Sequence, residues 1–152
     1  MRELMMRETM KRLLPLIALT TPISLLANDF DRQIDDRQQA FTHIENELES
    51  TKRLLGNRNT DWVDLTERSE ALQQYGELLH VSFPLGSHSE SKAKKKVWDN
   101  PEKFERLLNQ MTASFDTLSQ ASQQQDKALA KKSLKSANST CKNCHRSYRS
   151  RW

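Results

Sequence analysis

A chain of 152 residues has room for one ordinary domain rather than several. With only three glycines, four prolines and little β-branched alternation, it carries few helix breakers and almost no strand signal, which argues against a sheet-based enzyme fold. The formal charge of +4 does not amount to a nucleic-acid signature, because much of it sits in the first dozen residues.

Residues 1–27 read as a signal peptide. Lys11 and Arg12 form a basic region, Leu13 to Leu26 an apolar one, and Ala27 is a plausible cleavage residue. The apolar run is short for a membrane span and is interrupted by Pro15 and Pro22, so no stable membrane anchor is expected. Met10 would begin a tidier signal than Met1. Cleavage after Ala27 takes away four basic and two acidic residues and leaves one domain, 28–152, with a formal charge of +2.

Four amphipathic segments follow. In the first, Asp29 to Leu55, the residues Phe30, Ile34, Phe41, Ile44, Leu48 and Leu55 share one helical face, and Gly56 is a natural stop. A second helix starts at the Thr60-Asp61 cap signal and continues towards His80. Its stripe includes Ser69 and Gly76, small where a plain bundle wants bulk, which leaves room for something flat. Phe83-Pro84-Leu85-Gly86 breaks the pattern and leads through a Ser- and Lys-rich connection, in which Lys92 to Lys96 read as a solvated run that could steer an acidic redox partner. Asn100-Pro101-Glu102 opens a third helix carrying Phe104, Leu108, Met111, Phe115 and Leu118. A polar break at Gln120–Gln125 precedes a fourth helix, whose inner face holds Ala130, Leu134, Ala137, Cys141, Cys144 and Tyr148. The expected fold is all-α: an antiparallel four-helix bundle.

The segment Cys141-Lys142-Asn143-Cys144-His145 implies a covalently bound haem in the core of that bundle, covered by the other three helices. Cys-x-x-Cys-His is the attachment signature of haem c. Two thiols three residues apart on a helix reach the two vinyl groups along one porphyrin edge, and the adjacent imidazole supplies a nitrogen to the iron. A zinc site would need a fourth ligand, which only His43, His80 or His88 could supply at no recognisable spacing. A thioredoxin-like dithiol would need a strand-helix-strand setting that is absent. A disulfide would leave His145 unused.

With four helices and the motif within a dozen residues of the end, the chain resembles the class II c-type cytochromes, cytochrome c prime (c′) in particular. The tail Cys-Lys-Asn-Cys-His-Arg-Ser-Tyr-Arg is similar to that family's ending, Asp36 to Phe41 resemble its first-helix stretch, and Phe83 to Gly86 with Val97-Trp98-Asp99 resemble its loop before the third helix. The resemblance implies thioethers at Cys141 and Cys144 and a proximal ligand in His145. It implies that Arg37, which lies on the apolar stripe, sits near a haem propionate; by itself the residue could equally snorkel from the bundle edge. It implies that Arg149 lies beside the proximal imidazole, the other reading being a solvated charge favoured by the helix dipole.

Low-spin members of the class carry a methionine on the first helix as second axial ligand. Here that helix has none, and Phe41 stands at the position that in the family faces the iron. The resemblance therefore implies a five-coordinate, high-spin iron that binds NO and CO rather than dioxygen, in a protein that forms a homodimer. The signal peptide implies the periplasm, and the want of a distal acid–base residue such as histidine implies that the protein is not an enzyme. The alternative is a six-coordinate electron carrier. His43, about 200° round the helix from Phe41, should face away, while Met111 is the other candidate for a sixth ligand.

Overall fold

The computed structural model describes residues 24–89 and 91–151. The expected signal peptide lies outside the described residues up to residue 23. From residue 24 the chain is already helical, so the first helix starts earlier than its apolar stripe suggests.

Among the described residues five helices follow one another: α1 (Ser24–Gly56), α2 (Trp62–Val81), α3 (Lys96–Asp99), α4 (Pro101–Gln123) and α5 (Lys127–Tyr148). The four long ones form the expected bundle, and α3 is a single turn. The ends have local causes. The Asp61 carboxylate accepts from the backbone N–H groups of Val63 and Asp64, capping α2. Pro101 opens α4, where a missing N–H costs nothing. Asp126 caps α5 by accepting from the N–H of Leu129 at 2.9 Å.

Helical periodicity decides the core. In α2 the buried positions are Leu65, Ser69, Leu72, Gly76 and Leu79, each three or four residues from the last. They face Phe104, Leu108, Met111, Phe115 and Leu118 of α4, all buried. Each such side chain contributes roughly 1.5–3 kcal/mol by leaving water. Ser69 and Gly76 do not make room for a flat group. The Ser69 hydroxyl lies 3.3 Å from that of Ser122 on α4, and a Cβ on Gly76 would stand 3.0 Å from Thr112 Cγ2 and 3.2 Å from Phe115 Cδ2. Their smallness lets α2 and α4 approach closely.

Two further expectations need correction. The polar stretch Gln120–Gln125 is not a break at its start: α4 runs through Gln123, because Ala121 and Ser122 are buried and small enough to continue the packing. The chain then reverses at Gln125, which takes the left-handed conformation at φ 55°. Nor is the Lys-rich connection merely a solvated loop. The Lys94 N–H donates to Tyr148 O at 2.8 Å and the Ser150 N–H to Lys92 O at 2.8 Å. Ala93 and Arg149 thus pair as an antiparallel bridge, clasping the connection to the tail that follows α5.

Packing round the bundle is uneven. α4 packs extensively on α5 and on α2, and α1 on α2, but α1 and α5 meet sparingly. The seam between α1 and α5 is where the cavity lies.

Candidate functional site

A cavity of about 1260 Å³ fills this seam. That exceeds the roughly 300–1000 Å³ of ordinary small-molecule sites. Cys141, Cys144, His145 and Arg149 line it from α5 and its cap; Arg37 and Phe41 line it from α1. All six residues singled out in the sequence therefore border one space. Its inner wall is apolar, with Ile44, Leu48, Leu108 and Leu134 among its lining, and Phe83 and Phe104 close one end. The expectation that all three other helices would cover the site is not met. The lining comes from α1, α4, α5 and the connection with α3, and α2 contributes none of it, because its inner face is spent on the Leu65–Leu79 stripe against α4.

The motif folds as the spacing requires. Cys141 and Cys144 lie one turn apart on α5, half-buried and unbridged. Burial pushes both thiols up, Cys144 to about 11 with Cys141 adding to the effect. The His145 imidazole is pushed down, first by burial and then by the charge of Arg149, with Glu45 opposing. It is therefore neutral at pH 7 and has a lone pair to offer a metal. The thiol shift carries a test on the haem-free chain. A thiol at about 11 is roughly 0.1% thiolate at pH 8, against about a quarter for a free cysteine. Alkylation of Cys144 by iodoacetamide should be on the order of 100-fold slower than that of a model thiol at pH 8, and should rise about tenfold per pH unit towards 11. A mass-spectrometric time course across pH would show it.

Arg37 is 2% exposed. Its Nη1 donates to Ser82 O at 3.0 Å and to Ser87 Oγ at 2.8 Å, and its Nη2 to Ser87 O at 2.6 Å. The guanidinium lies 4.9 Å from the centroid of Phe83 and 5.7 Å from that of Trp98. Burial lowers its pKa, yet an arginine stays charged. It is not an edge residue snorkelling to solvent. Among the described residues no carboxylate pairs with this buried cation, so one side of it, on the cavity, suits an anionic group.

Phe41 is 37% exposed, its ring edge-on to Phe83 at 6.4 Å and turned into the cavity from the wall opposite the cysteines' helix. His43 stacks on Tyr75 with centroids 4.6 Å apart, away from the cavity as its angle round the helix requires. His80 and His88 are exposed and line nothing here. Met111 is buried and does line the cavity, from α4.

The sequence reading missed two features. Glu45 and Glu49 project from α1 into the mouth, and Lys131, Lys135 and Lys142 of α5 form the opposite lip. The lysine spacings of four and seven residues put them on one helical stripe, a periodicity that hydrophobic patterning passes over.

The residues fit a haem c. There are two thiols one turn apart, a neutral imidazole beside them, a large apolar slot, and a buried cation at its rim. Comparison with known proteins agrees. Residues 32–149 match the family described as Cytochrome C′. The cytochrome c′ of Pararhodospirillum photometricum is 24% identical over 118 residues, covering 76% of this chain and 94% of that protein. The crystal structure of cytochrome c′ from Rubrivivax gelatinosus superposes with a TM-score of 0.72 at 25% identity, covering 77% of this chain and 94% of that one. A variant of the Alcaligenes xylosoxidans protein, solved as a nitric oxide complex, superposes with a TM-score of 0.75 at 19% identity, over 81% of this chain and 97% of that one.

Proposed function

Because the chain belongs to the cytochrome c′ family, we propose that it is an exported protein carrying one haem c, with an axial position open to NO and CO and a capacity for one-electron transfer. Cys141 and Cys144 would hold the group through thioethers and His145 would ligate its iron. The observation that carries this reading is a single cavity with those three residues on one wall and Phe41, which has no donor atom, on another.

When bound, the group supplies an iron that takes up a diatomic ligand or an electron. The chain's own residues set the terms. Phe41 presents carbon to the space opposite α5 and offers no hydrogen bond, which would disfavour dioxygen relative to NO and CO. Arg37 would meet a propionate with a charge that is already buried and held in place. Burial, and after it the charge of Arg149 one turn beyond, disfavours protonation of the His145 imidazole, with Glu45 opposing. Among the described residues no histidine other than His145 lines the cavity, so nothing there supports a distal histidine acting as general acid–base.

We also propose that residues 1–27 direct export to the periplasm and are removed. No helix among the described residues is long and apolar enough to cross a membrane. A homodimer is proposed as well, through the face of α2 on which Val63 and Val81, both 72% exposed, stand five turns apart.

One observation favours a second reading, a six-coordinate electron carrier: Met111 lines the same cavity. Visible spectra of the periplasmically expressed protein, oxidised, reduced, and reduced under CO, separate the two. High-spin bands that shift with CO are expected. Low-spin bands unmoved by CO, and turned high-spin by Met111→Leu, would establish the electron carrier instead.

A further inference from the structure

The charges of this chain are sorted along the fold. Residues 29–81 carry twelve acidic and six basic side chains. From Ser91 to Trp98 and from Lys127 to Arg151 there are twelve basic side chains and no Asp or Glu. These two basic stretches are far apart in sequence, and the clasp between Lys92, Lys94, Tyr148 and Ser150 lays one against the other. They meet at the mouth of the cavity, where Lys92 and Arg149 continue the lip begun by Lys131, Lys135 and Lys142.

Little on this surface neutralises it. Lys95 lies 4.0 Å from Asp99, with both side chains mostly in water, a pairing that solvent screens. Lys96 leans towards the Tyr148 ring at 5.9 Å. The other lip, on α1, carries Glu45 and Glu49, the latter paired with Lys52 and Arg53, so the basic side of the mouth is that of α5 and the strap.

We propose that the clasped strap and the lysine lip of α5 form the docking surface for an acidic one-electron protein partner, delivered beside the mouth of the cavity. The inference rests on the reading of that cavity as the haem site. A lipid surface is the weaker occupant, because interfacial helices pair their basic residues with an exposed apolar face. Among the described residues the large exposed apolar side chains are Val63, Leu78, Val81 and Leu85, with Phe41 in the cavity, and none of these is on α5 or between Lys92 and Lys96. In the electron transfer itself the partner's reduced centre would give up one electron to the group that Cys141, Cys144 and His145 would hold, with no bond made or broken.

The test uses the whole exported protein and a plant-type [2Fe–2S] ferredoxin as acidic probe. Binding of the oxidised ferredoxin is measured calorimetrically in low salt and in about 0.2 M NaCl. A fall in affinity of at least about tenfold with salt is expected. Lys94→Glu with Lys95→Glu should weaken low-salt binding about tenfold or more. Arg53→Glu with Arg58→Glu, the same change in net charge at the other end of the bundle, should change it less than about twofold. Lys94→Gln with Lys95→Gln gives an intermediate loss and guards against misfolding of the charge-reversed chain. Equal effects of the two charge-reversed pairs would overturn the proposal, since net charge alone would then explain binding. So would binding to phosphatidylglycerol vesicles that responds to Lys94 and Lys95 while ferredoxin binding does not. The visible spectrum of the same sample reports haem separately: a colourless chain that still binds ferredoxin at the strap would sink the cavity reading and leave the surface standing.

Discussion

Replacing Arg37 with leucine is expected to lower stability by about 3–5 kcal/mol, a large share of the roughly 5–15 kcal/mol that holds a domain together. The reason lies in what the guanidinium leaves behind. Ser82 O, Ser87 O and Ser87 Oγ all accept from it, and both serines are buried. Ser87 Oγ keeps its own bond to Pro84 O, but the two carbonyls would lose their side-chain partner, at roughly 1–3 kcal/mol each. Loss of the contacts with Phe83 and Trp98 adds about 0.5–2 kcal/mol. For a domain of this size the melting temperature should fall by about 10–20 °C. Arg37→Lys should recover less than half, because one ammonium cannot span acceptors that a planar fork reaches together. Arg53→Leu, on the exposed side of the same helix, should stay within about 0.5 kcal/mol. Thermal melts of the three variants decide it; a mild Arg37→Leu would mean that the loop 82–87 does not depend on this residue.

If the iron is five-coordinate as proposed, Phe41→Met is expected to turn the spectrum from high-spin to low-spin and to weaken CO binding by roughly 10–100-fold. A thioether at this point of α1 faces the α5 wall across the cavity, as the phenyl ring does now. It is flexible enough to adapt its sulfur position, whereas phenylalanine has no atom to donate. Once the sixth position is filled from within, CO binds only the fraction of molecules in which the sulfur has let go, and its apparent affinity falls by that fraction. Phe41→Ala should act in the other direction, speeding CO binding and admitting water. A Phe41→Met protein that stays high-spin and binds CO unchanged would place the open coordination position away from this residue.

The helices and the thiol-imidazole triplet were legible because their information is local. A period of 3.6 in Leu65, Ser69, Leu72, Gly76 and Leu79 names the inner face of α2 without reference to anything else. The spacing of Cys141, Cys144 and His145 is set by one helical turn. Elsewhere the determinant was a neighbour not visible along the chain. Gly76 is small because Phe115 and Thr112 stand where a side chain would go. The partners of Arg37 lie 45 and 50 residues away and are backbone carbonyls and a serine, which leave no charge pattern to read. The clasp of Lys92–Lys94 on Tyr148–Ser150 is made by backbone groups, which every residue carries, so no side chain announces it.

The uneven packing of the bundle also sets an order of assembly. Three of the long helices can close on one another through the leucine stripe of α2 and the inner face of α4, and α5 then docks chiefly on α4 as a hairpin with a three-residue turn. Such neighbouring contacts form early, while pairings between the first and last helices close the longest loop and come late. The seam between α1 and α5 is that late pairing, and little protein contact draws it shut. The two thiols and the imidazole thus stay reachable until the rest of the bundle is built, and what seals the last joint is whatever occupies the seam.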